Sequence, residues 1–305
     1  MSKLAKALRS YGIFVTLYLL LVFFLPANKM AQHDYHLSSA AYHVLLFVVV
    51  LPLVGIWFGA YYSYARLSQY SDAIAKTPEG RSFKNITKGF TWLAWGSAIV
   101  AIVSIVFNAI ANEHPGFRAA SIIVANYAGL LVPLVGYSFI SSGARGLNVR
   151  AKLSITDKSA NFLIMAFMLL GVAYCFVTFR FLDLHTLSST NNPFFLPVWL
   201  IIVTVMIPFL YTWFIGFLAA YEIYLYSRHV DGLLYRQAMR LLSFGVIAVI
   251  ASSITIQYLR AAMPRVGHLS LNTTLIIINI SYVFMAIGYI VLCLGARQLR
   301  KIEEV

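Results

Sequence analysis

Acidic side chains are the scarcest chemistry in this chain. Asp and Glu together number 10 against 23 Lys and Arg, and charged residues of both signs make up only 11% of 305 positions. A soluble domain carries about 25% charge, so this surface is not one that water alone could cover. Cysteine is almost missing: Cys175 and Cys293 are the whole complement, and both fall inside apolar runs. That excludes a disulfide framework or a structural zinc site, and a buried cysteine behaves mostly as a small hydrophobe. No G-x-S-x-G, P-loop, H-E-x-x-H, C-x-x-C or dinucleotide fingerprint occurs. The familiar nucleophile, nucleotide and zinc-hydrolase chemistries therefore lack a signature. No Asp, Glu, Lys, Arg or His lies near the centre of an apolar run. This argues against a proton relay, an ion-pair pump, a retinal lysine and a bis-histidine haem site.

What is present is apolar length. Hydrophobic residues make up 61% of the chain, and several runs reach the roughly 20 residues that cross a bilayer core. The runs are continuous rather than alternating, which selects helices over a β-barrel. The fold expectation is an all-α polytopic membrane protein with eight transmembrane helices. They fall at roughly 11–26, 40–66, 91–112, 119–142, 161–182, 195–226, 243–261 and 270–296. The first run follows Lys3, Lys6 and Arg9 like a signal peptide, but no small-x-small cleavage site follows it. It is read as a retained span.

The net charge of +13 is explained by position. Alternate loops and the two termini hold 18 of the 23 Lys and Arg. The positive-inside rule then puts both termini in the cytoplasm of a cell membrane, with lipid as the first partner. No compact basic domain exists to bind nucleic acid.

The chain reads as one four-helix unit written twice, 1–150 and 151–305, inserted in the same orientation. Gly136, Tyr137, Gly143, Ala144, Arg145 and Leu147 return as Gly288, Tyr289, Gly295, Ala296, Arg297 and Leu299, at a separation of 152. Pro52, Trp57, Tyr70 and Ser71 return as Pro208, Trp213, Tyr226 and Ser227, at 156. Gly96, Ser104 and Ile105 match Gly245, Ser253 and Ile254 at 149, which sets Asn108 opposite Gln257. Gly136 and Gly143 share a helix face, as do Gly288 and Gly295, so each pair suits close helix packing. The fourth and eighth spans are expected near the axis relating the halves. Pro52 and Pro208 should bend the second and sixth spans, and Pro133 the fourth, where Met285 is its counterpart.

Three constellations stand out as candidate sites. Asn108, Asn126, Gln257 and Asn279 gather toward the outer third, with Arg180 and Arg260 nearer the outer surface. Together they suggest a vestibule for a small polar or anionic solute; the plainer account is amides satisfying one another between helices. Asp34 and His36 resemble Asp183 and His185 in spacing, a weak metal or pH-sensing pattern that helix capping also explains. Arg66 and Glu222 occupy corresponding places on the second and sixth spans and would pair if those helices touch.

Eight spans in two halves at this length look like the layout of the haem A synthase family. The likeness is one of architecture. His43 and His268 stand near span edges, but the Glu-x-x-x-His of that family occurs nowhere, so its activity does not carry over. No cofactor is required by the sequence. The leading expectation is a transporter or channel for a small solute. A structural or assembly subunit is the alternative, working with other membrane subunits or with a second copy of the chain. A membrane enzyme acting on lipid or haem is a further one, with Asp34, His36, Asp183 and His185 as its only candidates.

Overall fold

The computed structural model describes residues 3–24, 39–113, 118–153, 207–262 and 271–303, with Phe162, Met165, Ala166, Leu169 and Val172. Among the described residues all regular structure is helical. The elements are α1 (Lys3–Phe24), α2 (Ser39–Ala73), α3 (Gly80–Thr91), a π-helical turn (Trp92–Gly96) and α4 (Ser97–Glu113). They continue with α5 (Arg118–Arg150), α6 (Ile207–His229), α7 (Leu233–Ala262) and α8 (Leu271–Glu303). The α3 helix, the π turn and α4 join end to end, so the described chain forms seven continuous helical rods.

Among the described residues six stretches are long and apolar enough to cross a membrane: Lys3–Val22, Gly80–Val103, Gly129–Arg150, Ile207–His229, Leu233–Ile254 and Ile280–Lys301. The outward faces agree. Ile13, Leu17, Leu20, Leu131, Phe244, Phe284 and Ile290 are exposed apolar side chains that lipid, not water, would cover. In hydrocarbon every backbone group must bond within its own segment, which is why these runs become helices. The chain is a helical membrane protein.

Local chemistry sets the ends. Thr77 Oγ donates to the Ile74 carbonyl at 2.8 Å as α2 gives way to the turn before α3. The α3 helix is amphipathic: Phe83, Ile86 and Phe90 are buried at 0–1% exposure while Arg81, Lys84 and Lys88 face out. That pattern suits a rim between lipid and water. The α5 helix stops in a Schellman turn, with Lys152 at φ 55° and Leu153 N donating to Asn148 O at 2.8 Å. Only Val230, Asp231 and Gly232 separate α6 from α7, so these two lie antiparallel as neighbours.

Successive helices pack together, and α8 closes back on α2. The result is a ring running α2, α3–α4, α5, α6, α7, α8, with α1 outside against α2. Trp57 takes the rings of Phe14 and Tyr18 edge-on, each at 4.7 Å between centroids. Lys3 reaches Asp72 and donates to Ser68 at 3.1 Å, which places the start of α1 beside the end of α2.

Buried positions in the third rod (α3, the π turn and α4) and in α7 follow a common register. Ser82, Phe83, Ile86, Thr87, Gly89, Phe90, Leu93, Ala94, Gly96 and Ala98 are buried, and so is the residue 156 positions later in every case. Gly143 and Gly295 serve these contacts alike. A β-carbon at Gly143 would stand 2.5 Å from the Ser82 carbonyl, and one at Gly295 would stand 2.9 Å from the Ala238 carbonyl. Burial thus matches at 156 rather than at the 149 read from residue identities. Gly96 faces Val132 whereas Gly245 faces Leu292, so these two glycines do different work, and Gly245 does the work of Gly89 against Ile140. The match at 149 rested on single residue identities; burial depends on the whole face. At 156 the residue paired with Gln257 is Ala101, not Asn108, and the residue paired with Ser253 is Ser97, not Ser104. Gly136 and Gly143 let α5 approach α3 and the π turn, and Gly288 and Gly295 let α8 approach α7.

Candidate functional site

The ring of helices does not fill its own centre. A cavity of about 250 Å³ lies between α2, the π turn, α4, α5, α7 and α8. Trp57, Ser97, Pro133, Tyr137, Ser253 and Tyr289 carry its shape and polarity. A lobe of about 30 Å³ shares Gly129, Pro133, Tyr137 and Ser253 and reaches Phe209 and Trp213 on α6. Across the cavity α5 and α8 face each other through Tyr137 and Tyr289.

The walls have local causes. Pro133 lacks an N–H, so the Gly129 carbonyl one turn earlier loses its usual helical donor. Both residues line the cavity. The π turn lies on the facing wall, where Leu93 and Ser97 reach the cavity. Such insertions re-aim side chains and recur at functional sites. Ser97 Oγ donates to the Ala94 carbonyl at 3.0 Å, leaving its lone pairs as acceptors. Among the described residues no charged side chain lines the space. The arrangement suits a small neutral molecule, gripped by aromatic and aliphatic surface and oriented by hydroxyls. It offers no donor set for a metal, and among the described residues no group of three or more His, Cys, Asp or Glu converges.

Toward the end of the bundle that carries residues 3, 72 and 145, the α5–α6 seam is tied by a buried acid. Glu222 is 2% exposed. Ser141 Oγ donates to Glu222 Oε2 at 2.7 Å and Arg145 Nε to Oε1 at 3.0 Å, while Asn148 Nδ2 donates to the Glu222 carbonyl at 2.9 Å. Charge-assisted bonds of this kind are the strong ones.

Glu222 thus pairs with Arg145, not with Arg66. Arg66 turns to its own helix, donating to Tyr62 Oη at 3.1 Å and to Gln69 Oε1 at 3.3 Å. The reason is the ring order: α6 lies against α5 and α2 against α8, so corresponding residues of α2 and α6 do not meet. Ser141, Arg145 and Asn148 share one helix face by their spacing, which was a readable sign of a common partner. Ser97 and Ser253 were hidden by the wrong register. Pro52 and Pro208 lie inside or at the start of their helices as described.

The side chains of Asn108, Asn126, Gln257, Arg260 and Asn279 lie outside the described residues, as do Asp34, His36, Arg180, Asp183 and His185. Fold and site define a helical membrane protein with a closed ring and a neutral central cavity. None of the protein-family models, curated proteins or solved structures compared with the chain matches it. Its function has to be argued from its own geometry.

Proposed function

We propose that this protein is a transporter or channel for a small, neutral, largely apolar solute. Its halves, 1–150 and 151–305, enclose the solute at mid-bundle. The observation that carries the reading is the cavity wall. Residues at the two repeat separations line it or its lobe in pairs: Trp57 with Trp213, Leu93 with Val249, Ser97 with Ser253, Tyr137 with Tyr289. A site on the axis between parallel repeats is where rocking halves would bind and release a solute. The exposed Phe162, Met165, Leu169 and Val172 have helical spacing and support a fifth span. The basic residues at one end of the bundle support cytoplasmic termini.

The absence of lining charge moves the expected ligand from an anion to a neutral molecule. The amides Asn108, Asn126, Gln257 and Asn279, with Arg180 and Arg260, remain a proposed outer approach, and Glu222–Arg145 is the closure at the other end. An assembly subunit would have a filled seam here, so the cavity counts against that alternative. The size, below the roughly 300–1,000 Å³ of drug-sized pockets, points to a compact solute.

The test is a thermal-shift screen of the full chain in nanodiscs against short alcohols, phenols and indoles. A true ligand should raise Tm by about 2–4 °C and lose that effect in Ser253→Leu, which narrows the cavity. Proteoliposomes should then take up the ligand faster than empty liposomes. A panel that stabilises both proteins equally, or uptake matching empty liposomes, would sink the reading. A C-terminal tag that is accessible on intact cells would sink the orientation.

A further inference from the structure

Where α2 runs out and α6 turns into α7, a second cavity of about 670 Å³ opens at the end of the bundle. It shares no residue with the central one. Three tyrosines wall it: Tyr70 from α2, Tyr226 from α6 and Tyr235 from α7. Tyr235 is the hub. Its ring lies 6.5 Å from Tyr70 at an interplanar angle of 40°, and 6.4 Å from Tyr226 at 86°. Rings set at such angles turn π faces in different directions.

Two carboxylates, Glu79 and Asp231, stand in the same wall. They are two of only 10 acids in the chain, and they sit at the end that gathers Lys and Arg. The ion pairs among the described residues engage Asp72 and Glu222, not these two. Glu79 precedes α3 without its side chain capping that helix. The neighbouring cation Arg236 turns its guanidinium to the Val230 carbonyl at 3.3 Å. Backbone geometry holds the acids in place. Gly232 at φ 92° makes the tight turn beside Asp231. Gly80 packs against the backbone of Ile74 and Ala75, where no β-carbon would fit, and this folds Glu79 over the cavity. Ile74, Val230 and Leu234 complete the wall.

We propose that this cavity binds an organic ammonium group, quaternary or methylated. Aromatic faces attract such a cation through their quadrupoles, the carboxylates add charge, and the aliphatic wall accepts its methyl groups. A small hydrated metal ion would instead need a shell of oxygen ligands, which this wall does not supply. The cation is either the choline group of a lipid or a soluble amine.

The experiment uses the full chain in phosphatidylglycerol nanodiscs. Choline and tetramethylammonium are titrated, with 3,3-dimethylbutanol as the uncharged isostere of choline, and binding is read by saturation-transfer NMR. Both cations should bind saturably and the alcohol should not. Glu79→Gln combined with Asp231→Asn, isosteric changes at the rim, should weaken binding about tenfold or more, as should Tyr235→Leu. Repeating the titration in phosphatidylcholine nanodiscs identifies the source. Suppressed choline binding means that the lipid headgroup occupies the site, and unchanged binding means a soluble amine. No saturable cation binding overturns the proposal. So does equal binding of the alcohol, or an unchanged affinity in the double carboxamide variant.

Discussion

The seam between α5 and α6 and the seam between α8 and α2 are held by opposite chemistry. In the first, Glu222 accepts bonds from Ser141 and Arg145 while its carbonyl takes Asn148. The second seam holds Cys293, 152 positions after Ser141, and Arg66, 156 positions before Glu222. There Ser63 Oγ donates to Cys293 Sγ at 3.4 Å, and Cys293 Sγ to the Gly59 carbonyl at 3.4 Å. The backbones come so close that a β-carbon at Gly59 would lie 2.6 Å from Tyr289 Cβ. One seam is held by a desolvated charge with its partners, the other by close backbone approach and two weak thiol bonds. The difference follows from the scarcity of acid. With no carboxylate at the second seam, an arginine there has no reason to face Arg297 and turns along its own helix.

Breaking the contact seam should have the largest effect. Gly59→Val forces a β-carbon into another side chain's own β-carbon, which cannot rotate away. It should cost about 3 kcal/mol and sharply reduce the folded fraction on size-exclusion chromatography. Gly216→Ala meets first the mobile tip of Ile250 at 2.7 Å; it should cost about 1 kcal/mol, seen as a small drop in Tm.

Breaking the ionic seam comes next. Arg145→Met leaves Glu222 buried beside Ser141 alone. A fully buried pair would lose about 3–5 kcal/mol. Because the Arg145 side chain is 62% exposed, solvent screens part of the interaction, and about 2 kcal/mol is expected. Adding Glu222→Gln should recover part of that loss in a thermal melt. If the double variant melts below Arg145→Met, the carboxylate is not the group left stranded.

Matched truncations sharpen the contrast. Ser141→Ala removes a bond to a carboxylate and should cost about 1.5–3 kcal/mol. Cys293→Ala removes weak thiol contacts and should cost about 1 kcal/mol. Equal losses would mean that the two seams are held alike. The smallest effect belongs to Arg297→Gln, an exposed position, within about 0.5 kcal/mol.

The apolar runs were legible because the bilayer leaves a long uncharged segment one stable conformation, a helix with its own bonds satisfied. The candidate site was less so. In a chain this rich in Gly, Ser and Ile, identities coincide at several offsets, and 149 matched Gly96 with Gly245 as plausibly as any. The faces that the third rod and α7 bury match at 156 instead. That choice traded the amides Asn108 and Gln257 for the serines Ser97 and Ser253 as counterparts. The central cavity had no sequence sign, because a void belongs to the spaces between helices and not to any residue.

Sequence alone determined that the chain is helical and suited to lipid, since hydropathy and helix length are properties of each segment by itself. Tertiary structure decided which partner Glu222 takes and where the chain leaves room. Both depend on which helix lies beside which, and local composition carries no record of that order.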